Sequence, residues 1–273
     1  MAELPLPSLA LRELGGIPLL TDDALARTAG VRVAFTGRAG GVSAGAYAAL
    51  NLGSHVGDDL AAVEENRRVL MAALGLEGSA LLVPSQVHGT DLVSVPSADA
   101  AALKQARAEA AEGADGIVVG APSVAALLCF ADCAPVVLVA PDGRFAVAHA
   151  GWRGCVAGIA AKAARVLAAD AGVPTSQLNA YVGPHIGPCC FEVGDDVAAR
   201  FAAAFGTGCV AEDGVHVSLA RALAADLAAA GVDPARVCEA GVCTRCHPDE
   251  YFSYRASGGV CGRHGALACR LEG

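Results

Sequence analysis

His88 ends an apolar stretch in "PSQVHGTD", Cys133 adjoins the end of "SVAALLCFAD", and His149 ends the run "RFAVAHA". Each histidine is followed closely by a glycine, Gly89 or Gly151, where the chain leaves a rigid sheet and a side chain can face a cleft. One thiolate and two imidazoles suit zinc, and three protein ligands leave a fourth position open, the pattern of a catalytic site. The spacing alone is loose, since 45 and 16 positions separate the three. An equal reading makes Cys133 a small buried hydrophobe and gives each histidine a backbone hydrogen bond. The segment "DCAPVVLVAPDGRFAVAHAGWRG", 132–154, bears on the choice. It holds two apolar runs joined by the turn signal Pro141-Asp142-Gly143. A hairpin sets the first residue of one strand beside the last of its partner. Asp132, Cys133 and His149 would then share one end.

Other stretches could also carry chemistry. In "CTRCHPDEYFSYRASGGVCGRH", Cys243 and Cys246 form C-x-x-C and Cys261 and His264 form C-x-x-H, with 14 residues between Cys246 and Cys261. The pattern reads as a closed four-ligand structural zinc site. A redox pair, or two thiols on a turn, competes with it, and His247 offers a rival ligand. Adjacent cysteines such as Cys189 and Cys190 of "GPCCFEVGDD" can rarely share one metal without strain, so one is expected to face the core and the other a cleft wall. The glycine-rich "TGRAGGVSAG" could nest an anion with Arg38 supplying charge. It matches neither the P-loop nor the dinucleotide fingerprint, and a plain turn is the simpler reading.

The elements that must position these residues follow from pattern. Hydrophobic residues make up 54% of the 273-residue chain and charged residues 17%, which allows a sizeable core and argues against disorder. A net charge of -9 argues against broad nucleic-acid or anionic-membrane binding, though a local basic pocket for phosphate is compatible with it. No apolar run is long enough to span a bilayer. The first residues, "MAELPLPSLALRELGG", are not a secretory signal, so a cytoplasmic protein is expected, its 11 cysteines mostly thiols or metal ligands. Strands are predicted at "VRVAFT", "ALLVP", "DGIVVG", "SVAALLCFAD", the hairpin, "QLNAYVG" and "RVCEAGVCT". Helices are predicted over "LAAVEENRRVLMAALGL" after the capping Asp58-Asp59 pair, "SADAAALKQARAEAAEGADG" (an alanine-rich exposed helix or helical insertion), "CVAGIAAKAARVLAADAG", "GDDVAARFAAAFG" and "SLARALAADLAAAGV", with Ser218 as N-cap. With no linker and no repeat, one α+β domain over 1–273 is the economical reading.

Taken in order, "FTGRAGGVSAGAYAALNLGSHVGDD", "VPSQVHGTDLV", "ADGIVV", "ADCAPVVLV", "VAHAGWRG", "GPHIGPCCFEVGDDV" and "CT…YFSYRASGGVCGR" resemble the laccase-domain (YfiH-like) family, from about residue 31 to 265. That family once bore the label multicopper polyphenol oxidase. Its members are now mostly described as purine nucleoside phosphorylases with adenosine deaminase activity, some as peptidoglycan editing factors. The resemblance implies a single-domain α/β/β/α sandwich and a zinc ion on His88, Cys133 and His149. It also lowers the expectation of a second zinc site, because the family commonly has threonine where this chain has Cys261. "SYRASGG" stands where the family has "SYRRDG", so one basic contact is lost.

The resemblance implies a zinc enzyme, expected as a monomer, that acts on adenosine, inosine, guanosine and methylthioadenosine with phosphate, and also deaminates adenosine. Zinc-activated water would serve deamination. Asp132, beside Cys133, is the first candidate to move protons, with Asp115 second; a cap or turn role is the alternative for Asp132. Phosphate and nucleoside would meet Arg38, Ser43, Gln86, Asp115, Arg153 and Arg263. Arg153 and Arg263 could equally be structural ion pairs, and Trp152 core packing rather than a base platform. Three rivals stand beside this reading. One is a metal-free hydrolase with Cys133 as nucleophile and His149 as base, editing peptidoglycan precursors. Another is a copper-dependent phenol oxidase, for which one Cys/His/His trio supplies too few ligands. The last is a non-catalytic scaffold.

Overall fold

The computed structural model describes residues 3–271. Among these, twelve strands and seven α-helices follow one another along the chain. A meander of β1 (Ala10–Leu14), β2 (Ile17–Thr21) and β3 (Val31–Thr36), with α1 (Asp23–Ala29), opens the chain. Then come α2 (Leu60–Ala73), β4 (Ala80–Leu82), β5 (Leu92–Val95), α3 (Ala100–Glu112), β6 (Gly116–Val119) and β7 (Val124–Phe130). The hairpin is β8 (Ala134–Val139) and β9 (Phe145–Ala150). It is followed by α4 (Trp152–Val156), α5 (Ile159–Ala171), β10 (Asn179–Val182), α6 (Asp195–Phe205), α7 (Leu219–Ala229), β11 (Val237–Glu239) and β12 (His264–Arg270).

The strands form two six-stranded sheets, in the orders β1-β2-β3-β12-β7-β4 and β11-β10-β8-β9-β6-β5. Three apolar clusters show how they stack. Phe35, Phe130, Val137, Val147 and Tyr181 fill the space between the sheets. Leu70 and Met71 of α2 cover the outer face of the first sheet against Leu127 and Leu267. Ile159, Ala163 and Leu167 of α5 cover the second against Val136, Leu138 and Ala148, with Phe201 and Leu223 from α6 and α7. The layers are therefore α/β/β/α. A strand covered on both faces has no solvent side, which is why β7, β8 and β9 are buried at every position and read as unbroken apolar runs. Each fully buried Val, Leu or Phe contributes about 1.5–3 kcal/mol.

Local signals set the boundaries. Asp59 caps α2, its side chain accepting from Ala61 N, and Ser218 caps α7 by accepting from Arg221 N. The expected helix over 155–172 is in fact two, because Gly158 adopts a left-handed φ of 77° between α4 and α5. Of the opening meander only β3 was expected, and β1, β2, α1 and β12 were not. β12 lies in the middle of the first sheet, antiparallel to both β3 and β7. No helix among the described residues is long and apolar enough to cross a membrane.

Candidate metal centre and its pocket

The hairpin register places Pro135 opposite His149 and Ala134 opposite Ala150. Cys133, one residue before β8, and His149, one before the end of β9, therefore stand at the same end. His88 arrives on the loop between β4 and β5. The ligand atoms of the three lie within 4.8 Å of one another, and the two imidazoles meet edge to face at 4.8 Å. A Cβ on Gly151 would sit 2.9 Å from His88 Cδ2 and 3.2 Å from Cys133 Sγ, so the chain must carry glycine where it turns past the cluster.

Asp115, fully buried just ahead of β6, organises two of these residues. Its Oδ1 pairs with His149 Nδ1 at 2.8 Å and accepts His88 N at 2.9 Å, while Oδ2 accepts Gly89 N at 2.6 Å. With Nδ1 engaged by the carboxylate, Nε2 of His149 is the nitrogen left to face Cys133 and a metal. Two non-glycine residues at the site hold left-handed backbones, His88 at φ 61° and Asp132 at φ 87°. Such strain, about 1–3 kcal/mol each, persists where the surroundings over-determine it. For His88 the Asp115 carboxylate does so. Asp132 is held by Thr244 Oγ1 and Arg255 N, each 2.7 Å from its carboxylate.

The electrostatics favour ionised partners. Burial pushes the Cys133 thiol up, but the imidazoles of His149 and His88 outweigh it and bring it down to about 6. Burial depresses His149, yet the Cys133 sulfur and the Asp115 carboxylate lift it to about 9. Burial likewise raises Asp115, and the bonds from His149 and the Gly89 amide reverse this to a net lowering. One soft thiolate, two imidazoles and a carboxylate orienting one of them suit a borderline-soft ion such as zinc. The residues fit the group.

A cavity of about 390 Å³ opens on this cluster. Of the residues expected at the site, Gln86, Asp132 and Arg263 line it with the trio. Gln86 braces its wall by exchanging two bonds with the Cys129 backbone. Asp115 stands behind His149 rather than in the cavity. Arg38, Ser43 and Arg153 are not brought to its lining. Arg38 donates to the Ala48 and Pro248 carbonyls and covers the Phe252 ring. Ser43 donates to Asp58, and Arg153 lies over Trp152, which packs on the core. The lining also includes His55, Phe191, Tyr254 and Arg255, none of them singled out in the sequence reading. Arg255 was legible in principle, in the "SYR" that survives of the late motif. His55 is depressed by burial and by the nearby Arg263 and Arg67 charges.

The second expected zinc set does not assemble. His264 belongs to β12, buried between the rings of Phe130 and Tyr251, and burial with the Arg263 charge holds it neutral at about 3. Cys261 is buried beside the Arg263 side chain. Cys243 and Cys246 instead meet Cys189 and Cys190, so both members of the vicinal pair face the same place. All eleven cysteines are thiols.

The family model described as "Multi-copper polyphenol oxidoreductase laccase" matches residues 32–270. The chain belongs to this family. Similar members include the purine nucleoside phosphorylase YlmD of Geobacillus stearothermophilus, 35% identical over 89% of this chain and 92% of that protein. The purine nucleoside phosphorylase of Deinococcus radiodurans is 38% identical over 92% of each chain. A protein named adenosine deaminase RL5, from an unknown prokaryotic organism, is 35% identical over 80% of this chain and 86% of that one. Among solved structures of this laccase-like family, Bacillus licheniformis YfiH superposes with a TM-score of 0.84 at 27% identity, covering 93% of this chain and 96% of that one. The YlmD crystal structure gives 0.80 at 30% identity, covering 99% and 100%. The mixed α/β architecture expected from the sequence is the one these neighbours share.

Proposed function

We propose that the chain is a zinc-dependent purine nucleoside enzyme. It would cleave nucleosides such as adenosine, inosine, guanosine and methylthioadenosine with phosphate, and deaminate adenosine. The observation that carries this is the convergence of His88, Cys133 and His149 on one cavity, with Asp115 fixing the His149 ring. The names of the similar proteins supply the substrate class. Zinc held by the trio would supply Lewis acidity and water made acidic near neutral pH.

The chain's own groups do the rest. Arg255 and Arg263 bring positive charge to the cavity for a phosphate group, taking the place assigned in the sequence reading to Arg38 and Arg153. Phe191 and Tyr254 offer ring faces to a purine. Asp132, aimed by Thr244 and the Arg255 amide, stands beside Cys133 to carry protons to and from the reacting atoms. In phosphorolysis a phosphate oxygen bonds to the sugar carbon as the carbon–nitrogen bond breaks, and the departing purine takes up a proton. In deamination water adds to the ring carbon, one of its protons passes to the adjacent ring nitrogen and the other to the amine, which leaves as ammonia. One trio is too small a donor set for several copper ions, so phenol oxidation fits poorly.

A second reading has an observation of its own. Without metal, Cys133, His149 and Asp115 form a thiolate, imidazolium and carboxylate in series, the arrangement of a cysteine hydrolase. Chelator-treated and zinc-reconstituted protein, assayed on adenosine with and without phosphate, separates the two. Zinc-dependent turnover that is lost in Cys133→Ser supports the nucleoside enzyme. Full folding with no nucleoside turnover, and ester or amide cleavage by the metal-free form, would replace it with the hydrolase.

A further inference from the structure

Outside the cavity the chain gathers a second set of soft donors. Cys189 and Cys190 lie on the loop after β10, and Cys243 and Cys246 on the loop after β11. Their four sulfurs lie within 4.8 Å of one another. Cys246 Sγ is 3.6 Å from Cys189 Sγ and 3.5 Å from Cys190 Sγ. A tetrahedral zinc site with Zn–S near 2.3 Å has sulfur–sulfur edges of about 3.8 Å. These two pairs thus stand at nearly the separation such an ion imposes, well beyond the ~2.05 Å of a disulfide, and the whole set is within 4.8 Å. From these positions we propose that Cys189, Cys190, Cys243 and Cys246 form a closed tetrathiolate zinc site, distinct from the His88, Cys133 and His149 cluster. The adjacent Cys189 and Cys190 both serve in it because the fold already turns their sulfurs to the same place.

The surroundings of Cys243 favour anionic sulfur. Gly187 N donates to Cys243 Sγ at 3.2 Å, and the Cys246 amide donates to the same sulfur, so the C-x-x-C turn already presents backbone N–H groups to a thiolate. At Gly187 a Cβ would press on Cys243 Cβ at 3.2 Å and Cys189 Sγ at 3.3 Å, so the glycine lets the loop pack closely on the sulfurs. The two loops are joined by a backbone bridge between His185 and Cys243, which fixes how the two pairs face each other. Binding would release the remaining thiol protons to solvent, with no change in oxidation state.

The site's consequence lies next door. One loop carries Ile186 and Phe191 to the wall of the main cavity. The other carries Thr244, which bonds Asp132, and leads on to Arg255. A closed metal clip would tie together the two segments that form this wall. No residue of the nucleoside site takes part in it, so it stands whether or not that reading holds.

The test uses full-length Cys133→Ser protein, purified anaerobically with reductant, loaded with zinc and freed of excess. This background keeps the main cluster from contributing a thiolate. We expect one tightly held zinc per chain whose X-ray absorption shows four sulfur neighbours near 2.3 Å. Adding Cys189→Ser and Cys246→Ser should remove that equivalent, while circular dichroism verifies folding. Because the added variants could misfold, a second measurement uses the protein with all its cysteines. Zinc loading should protect the four thiols from a disulfide reagent, as located by peptide mapping, and a chelator should expose them again. Zinc with nitrogen or oxygen neighbours, no zinc in the Cys133→Ser protein, or unprotected thiols after loading would each overturn the proposal. So would a disulfide between these cysteines that persists in the reduced preparation.

Discussion

Asp115 Oδ1 lies 2.8 Å from His149 Nδ1, and the same carboxylate accepts the amides of His88 and Gly89. One buried side chain therefore sets both the ring orientation of one ligand and the strained backbone of another. Asp115→Asn keeps the shape but presents an amide where a carboxylate held the ring. We expect metal affinity to fall about 10–100-fold, with a near-normal circular dichroism spectrum. Zinc competition against a chromogenic chelator measures it, and unchanged affinity would remove the orienting role.

Gly151→Ala tests the cradle itself. The added Cβ meets His88 Cδ2 at 2.9 Å and Cys133 Sγ at 3.2 Å, so the ligand set must open while the cores are untouched. Turnover and zinc stoichiometry should both drop, with Tm within a few degrees of the parent. A fully active Gly151→Ala enzyme would show that the trio is looser than the geometry implies.

In metal-stripped protein the Cys133 thiolate and His149 imidazolium should coexist between about pH 6 and pH 9. The thiol is held below its ordinary value, so its contribution to stability is lost as pH falls through about 6. The imidazole is held above its ordinary value, so its contribution is lost as pH rises through about 9. Alkylation of Cys133, located by peptide mapping, should rise with a midpoint near 6 rather than the ~8.5 of a free thiol. The Tm difference between this protein and Cys133→Ser should be greatest inside that window. An ordinary thiol midpoint would mean the pair is not charged.

The arginines divide by where they stand: all three donate to backbone carbonyls, but Arg255 and Arg263 line the cavity and Arg38 does not. Arg263→Ala and Arg255→Ala remove charge from the cavity and should raise the KM for phosphate about tenfold or more, roughly the 1.5–3 kcal/mol of a charged hydrogen bond. Their effect on adenosine deamination without phosphate should be smaller. Arg38→Ala should leave the phosphate KM alone and lower stability by about 1–2 kcal/mol, since its bonds go to the Ala48 and Pro248 carbonyls. Initial-rate kinetics and thermal melts distinguish these outcomes.

Much of the site was legible because local rules govern it. An apolar hairpin with a Pro-Asp-Gly turn fixes its own register, and that register brings Cys133 beside His149 whatever the rest of the chain does. Glycines at 89 and 151 and the capping residues Asp59 and Ser218 also speak for themselves in sequence. The motifs shared with the laccase-like family carried His88 to the same cluster. What tertiary structure alone decided was long-range. Sequence marks Asp115 as a candidate to move protons or meet substrate, but its place behind His149 is set only when β6 pairs with β9. Arg38 stands in a glycine-rich loop that could nest an anion or simply turn, and only the tertiary fold brings the Pro248 carbonyl to it. The four-cysteine cluster needs two loops that meet only when β11 pairs with β10, while Cys261 and His264 are drawn away because β12 inserts between β3 and β7. Spacing along a chain constrains partners within a turn or a hairpin. Which distant segments share a sheet is set by how whole apolar faces bury one another.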